Sequence, residues 1–306
     1  MKVSTWALHL SLAVLALCTV TALAQNHAVQ LPTQAHPLKA DSGGQLHPKA
    51  TANTVSPDAT ESCTYQFTSG SGNTYLQFCV TVNGNIVEFQ SPSGVEQLTP
   101  QGAAPFEGYG ICDDNTSVGY YDYAYSDSGN WGSPTTVSHN GTSVKIERTT
   151  SDGLWTLTQT INMVAGSNPY AKVVMALKNN SGLTKSAQLI RYANVIPDNS
   201  GSTADYVENY DGTLDSAWGY LGENGTANGG PYGLMIQEFG NPTPTSLSYG
   251  REGFAINTTL GPSPCDPAAD WIGTITNSVG STIYWYSFVD LGKEKTATVT
   301  ERYMSF

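Results

Sequence analysis

The stretch Asn209-Tyr210-Asp211-Gly212-Thr213-Leu214-Asp215 gathers side-chain oxygens around a glycine. Asn209, Asp211 and Asp215 stand two and then four residues apart. Calcium takes six to eight oxygen ligands and tolerates irregular loops, so these three are candidate ligands for a structural Ca²⁺. The spacing departs from that of an EF-hand loop, and a solvated acidic loop is the plainer account. The same region carries Tyr206, Tyr210 and Trp218. Sugar C–H faces stack on aromatic rings while Asp and Asn accept from hydroxyls. Tyr206, Tyr210, Asp211, Asp215 and Trp218 are therefore candidate glycan-binding residues. A second aromatic concentration, Tyr109 to Trp131, adds Tyr123 and Trp131. Aromatics also fill the interior and cover the edges of β proteins, and most of these are expected to do so.

Other chemistries are poorly supplied. His139 is the one histidine beyond the first 61 residues, and His139-Asn140-Gly141 reads as a turn. A Ser-His-Asp triad or a histidine zinc site would rest on that residue alone. Cys63, Cys79, Cys112 and Cys265 follow the leader, and an even number in an exported chain predicts two disulfides. Cys63 and Cys79 are symmetric about Ser71 in the turn-like Ser69-Gly70-Ser71-Gly72-Asn73, so a hairpin there sets them opposite each other. Cys112 and Cys265 then pair across a long loop, worth on the order of 4 kcal/mol. No C-x-x-C spacing supports a metal site. Acid–base work in an enzyme of this composition would fall to carboxylates helped by Tyr or Arg, the inventory of a glycosidase or polysaccharide lyase. Arg148 and Arg191 lie in strands that read as partly buried, where each needs a carboxylate partner. Asp198, Asp205 and Asp211 are candidates for Arg191. An ion pair that fixes structure is the plainer reading than a substrate-binding arginine.

The chain has 13 Lys and Arg against 25 Asp and Glu, a formal charge of −12. That argues against nucleic acid and against anionic membranes, and is compatible with cations and neutral glycans. Residues 1–24 read as a secretory signal: Lys2 starts it, Ala7 to Val20 is largely apolar, and Ala22-Leu23-Ala24 is an A-x-A cleavage site. The apolar run is shorter than the roughly 20 residues a membrane span needs. No later segment is long and apolar enough to span. An extracellular or periplasmic protein is expected. Residues 25–61 carry Pro32, Pro37, Pro48 and Pro57 and few large apolar side chains, the composition of a disordered spacer. Residues 62–306 then form a single domain.

The elements that must position these residues are strands. Ser143 to Ile196 contains four alternating runs separated by turn signals, among them Thr150-Ser151-Asp152-Gly153. Trp155, Leu157, Ile161 and Met163 share one face of the second run. Gln159 interrupts that face and needs a hydrogen-bond partner there. The middle of the third run and most of the fourth are apolar on both faces, which places a four-stranded meander at the centre of one sheet with a second sheet over it. Asp198 to Gly230 reads as a long acidic connection with little regular structure. Strands resume at Tyr232 to Phe239, Phe254 to Thr259, Trp271 to Thr276, Ile283 to Asp290 and Thr296 to Met304. The fold expected is all-β, a large antiparallel β-sandwich stapled by disulfides.

The run RTTSDGLWTLTQTINM…KVVMALKNNSG…AQLIRYANV resembles uncharacterised exported bacterial β-sandwich proteins. More distantly, between Thr142 and Trp218, it is similar in pattern to the galactose-mutarotase-like domains, which implies their supersandwich fold. That family implies catalytic histidines and a glutamate; with His139 alone in the domain, the activity is not carried over. The leading expectation is an exported, non-enzymatic β-sandwich that binds carbohydrate or serves at the cell envelope. A carboxylate-based carbohydrate-active enzyme and a structural surface protein are the alternatives.

Overall fold

The computed structural model describes residues 62–98, 106–197, 205–209, 216–220, 232–240, 252–256, 261–267 and 281–305. The predicted signal (1–24) and spacer (25–61), and the strand expected at Trp271 to Thr276, lie outside them. The first strands are β1 (Tyr65–Ser69), β2 (Leu76–Val80), β3 (Ile86–Gln90), β4 (Glu107–Asp113) and β5 (Val118–Asp122). The central ones are β6 (Thr135–Asn140), β7 (Ser143–Thr149), β8 (Trp155–Val164), β9 (Tyr170–Asn179) and β10 (Lys185–Ala193). They are followed by β11 (Asp205–Asn209), β12 (Ser216–Tyr220), β13 (Gly233–Glu238), β14 (Glu252–Ile256), β15 (Ser281–Leu291) and β16 (Thr296–Ser305). No helix among the described residues is long and apolar enough to cross a membrane.

Three antiparallel sheets result, of order β1-β2-β3, β14-β15-β10-β4-β5 and β11-β12-β13-β16-β9-β8-β7-β6. Strict alternation makes the eight-stranded sheet two-faced. Its inner face sets Val144, Ile146, Trp155, Leu157, Val173, Met175 and Val299 into one buried cluster. Ile111, Leu189, Tyr286 and Phe288 from the five-stranded sheet join that cluster, as do Phe67, Phe78 and Phe89 from the three-stranded one. The architecture is the disulfide-stapled β-sandwich expected. Cys63 bonds Cys79 and Cys112 bonds Cys265, with Cα–Cα distances of 5.5 and 4.9 Å.

Three expectations are corrected. The four-stranded meander is β6-β7-β8-β9, and β10 crosses to the other sheet, between β15 and β4. Asn179 fixes the crossing. Its side-chain amide donates to the carbonyls of Leu183 and Leu291, both at 2.8 Å, and its own N–H donates to Lys295 O. That buried side chain ties the end of β9 to the start of β10 and to the turn before β16. With β10 gone, β16 pairs with β9, and β9 alternates along its length instead of being sealed on both faces. The connection after Ile196 is not bare loop, for β11 and β12 extend the eight-stranded sheet. His139 lies on β6, exposed, its ring 4.8 Å from that of Tyr65, and not in a turn.

Candidate functional site

The two strand arginines lock the layers together from inside. Arg191, fully buried on β10, donates from Nε to Glu107 Oε1 at 2.7 Å and to the Tyr303 hydroxyl at 3.0 Å. Its Nη1 donates to Gln159 Oε1 at 2.5 Å and its Nη2 to Gly84 O at 3.2 Å. Gln159, the polar interruption of an apolar face, thus finds its partner in an arginine of the opposite sheet. A side chain at position 84 would strike the Gln159 amide, which is why a glycine at φ +94° carries that carbonyl. Arg148 repeats the arrangement: its Nη1 reaches Asp122 Oδ2 at 2.6 Å and the Tyr109 hydroxyl at 3.0 Å. The carboxylate partner of Arg191 is therefore Glu107; Asp198 and Asp211 lie outside the described residues. Burial pushes Glu107 up from its ordinary value, while Arg191, the Tyr303 hydroxyl and the Ile86 N–H hold it down. With that many donors converging on its carboxyl, we take Glu107 as ionised.

Glu301 is different. It faces inward on β16, opposite Glu238 of β13 and Val173 of β9. It is fully buried, and neither carboxyl oxygen has a hydrogen-bond partner. Burial, aided by the Glu107 and Glu238 charges and opposed by Arg191, pushes it well above the carboxylate range, so it is held neutral. These interior groups are sealed from ligand.

The sequence-predicted residues separate. Asp211, Asp215 and Tyr210 lie outside the described residues, and Asn209 ends β11. Tyr206 and Trp218 occupy register positions opposite Gly219 and Val207, successive rungs of the β11–β12 ladder. Tyr123 is fully buried, stacked 4.9 Å from Tyr121, with its hydroxyl donating to Pro262 O. Trp131 packs edge-on against Tyr109 with the Arg148 guanidinium over its ring at 5.2 Å. As the chain stands, neither ring offers a face to a sugar.

The outward face of the eight-stranded sheet carries what the sequence alone does not assemble. One rung runs through directly paired residues of five strands, Asn140, Ser143, Asn162, Lys172 and Arg302, and continues in register to Gln237 and Ser216, which are buried. Every one is polar and none is acidic. Neighbouring strands lie about 4.8 Å apart, so Asn140 to Arg302 spans about 19 Å, room for more than one sugar ring. Beside the rung, Tyr170 and Phe239 bring their rings to 5.4 Å at 56°. The Arg302 guanidinium lies 5.3 Å from Phe239 and 5.8 Å from Tyr170, and Lys172 Nζ lies 5.8 Å from Phe239. Arg302 donates from Nε to Gln237 Oε1 at 2.8 Å. The alternation of β9 sets Tyr170 and Lys172 on one face. Their meeting with Arg302 required the pairing of β9 with β16, more than a hundred residues away, which no local pattern announces.

No family model and no curated protein matches the chain. Among solved structures it is similar to a provisionally assigned aldose 1-epimerase of Escherichia coli K12. The two share 12% identity over 79% of this chain and 99% of that one, with a TM-score of 0.41. At that score nothing about fold or activity follows from the likeness.

Proposed function

We propose that this protein is an exported, non-enzymatic β-sandwich that binds carbohydrate along the outward face of its eight-stranded sheet. The observation that carries the reading is the Tyr170–Phe239 ring pair beside a rung of amides and hydroxyls. Rings supply stacking surfaces for sugar C–H faces, and Asn140 and Asn162 supply amides for hydroxyls. Two disulfides support an oxidising compartment. The sealed carboxyls of Glu107 and Glu301 lend nothing to a hydrolytic reading. A structural Ca²⁺ at Asn209, Asp211 and Asp215 belongs to the same proposal as a prop for the β11–β12 end of the sheet.

A glycan array tests this, read with Ca²⁺ and again with EDTA, for the protein and for Tyr170→Ala/Phe239→Ala. Specific binding is expected, weakened at least about tenfold, or 1.4 kcal/mol, in the double variant. Sensitivity to EDTA is the result expected if the calcium proposal is right. A blank array under both conditions refutes the carbohydrate reading.

A further inference from the structure

We propose that the ligand of this face is an acidic glycan, a chain of uronate sugars whose carboxylate is taken by Lys172 and Arg302 across β9 and β16. The inference rests on the carbohydrate reading above and adds the charge of the sugar. In a chain of net charge −12, two cations stand directly opposite one another on adjacent strands. Like charges so placed repel, and the arrangement is unfavourable unless an anion sits between them. Four cations of the fold each have a carboxylate: Lys178 has Glu294 at 2.7 Å, Lys185 has Asp113 at 2.6 Å, Arg148 has Asp122 and Arg191 has Glu107. Among the described residues Lys172 and Arg302 have none. Their partners are two rings and one amide.

Arg302 is half-buried, and burial draws its pKa down from the ordinary arginine value. A partly dehydrated guanidinium held against rings is poised to gain from an incoming carboxylate, which it can grip through a planar fork. The acidic surroundings do not cancel this attraction. Glu147 pairs opposite Thr158, four residues along β8 from Asn162 and therefore roughly 13 Å away. That exceeds the ~8 Å over which charge is felt at physiological salt. Two cations, two amides and two rings fit a sugar with one charge among several hydroxyls. A densely sulfated chain would call for more cations, and an acidic peptide would make no use of the ring faces.

The test measures binding of the disulfide-intact protein to polygalacturonate, heparin, a neutral glucan and polyglutamate. Polygalacturonate is expected to bind, more weakly at raised salt. Lys172→Gln should weaken it several-fold and Lys172→Gln/Arg302→Gln at least tenfold, while Lys178→Gln leaves it unchanged. Thermal unfolding of Lys172→Gln, expected to equal or slightly exceed the parent because a like-charge pair is relieved, separates lost binding from lost fold. Unchanged binding by the double variant overturns the inference. So does equal or better binding of heparin or polyglutamate. Binding of the neutral glucan alone overturns the acidic ligand and leaves the carbohydrate reading standing; no binding to any sugar overturns both.

Discussion

Replacing Glu301 by Gln should make the protein more stable at neutral pH. In the unfolded chain this carboxyl titrates near its ordinary value of 4.5; in the folded protein burial lifts it well above that. A carboxyl with a raised folded pKa contributes fully below the unfolded value. That contribution is lost as pH rises toward the folded one, because the unfolded chain ionises while the folded chain must keep its proton. At pH 7 the chain must therefore take up a proton against about 2.5 pH units, a cost of about 3 to 4 kcal/mol at about 1.4 kcal/mol per unit. The substituted amide would be nearly isosteric and already neutral, and like the protonated carboxyl it would find no partner, so the hydrogen-bond terms roughly cancel. Arg191 does not need Glu301, since Glu107 lies 2.5 Å from its Nη2. Other raised acids, Glu96 at about 7 and Asp122 at about 6, tilt both proteins alike and drop out of the difference. The assay is denaturant unfolding of both proteins at several pH values from 4 to 8. The curves should coincide at the acid end and diverge by about 1.4 kcal/mol per unit above pH 4.5. A variant no more stable than the parent at pH 7, or a difference independent of pH, would refute the claim that Glu301 is buried neutral.

Arg191→Met leaves the Glu107 carboxylate buried without its cation and should cost about 3 to 5 kcal/mol in equilibrium unfolding. A fold of undiminished stability that has lost glycan binding would instead assign Arg191 to the ligand. Gly108→Ala puts a methyl group 1.8 Å from the Asp122 carbonyl, backbone that cannot step aside, and should separate β4 from β5. A loss of more than about 2 kcal/mol in the same unfolding experiment is expected, and a neutral effect would contradict the close approach of these strands.

The pieces written locally were legible. Alternation at Val144/Ile146 and Trp155/Leu157, the Asp152-Gly153 turn and the Cys63/Cys79 symmetry each depend on neighbours within a few residues, and each appears as expected. Removing that first cysteine pair then identified the second. Burial of Arg191 and the need of Gln159 for a partner were visible too, because a polar residue in an apolar run declares a debt. Who meets it was not visible. Glu107 is 84 residues from Arg191, and only the sheet order brings them together. The same limit hid the departure of β10. Its apolar faces fit the middle of either sheet, and Asn179, which turns it away, reads in sequence as an ordinary turn residue. The outward site failed for a third reason: Lys172 and Arg302 look like any surface cations until the register sets them side by side.

The last strand sits in the middle. β16 lies between β13 and β9, so until Thr296–Ser305 is in place the widest sheet is two separate ribbons, each with a raw edge. Such edges recruit other chains. The strand also brings Glu301 and Tyr303 to the interior and Arg302 to the outward face. Closure of the core and assembly of the ligand surface are thus one event, the seating of a keystone. A partly folded chain would have neither the lock nor the site, and a binding assay would double as a report on whether that strand has docked.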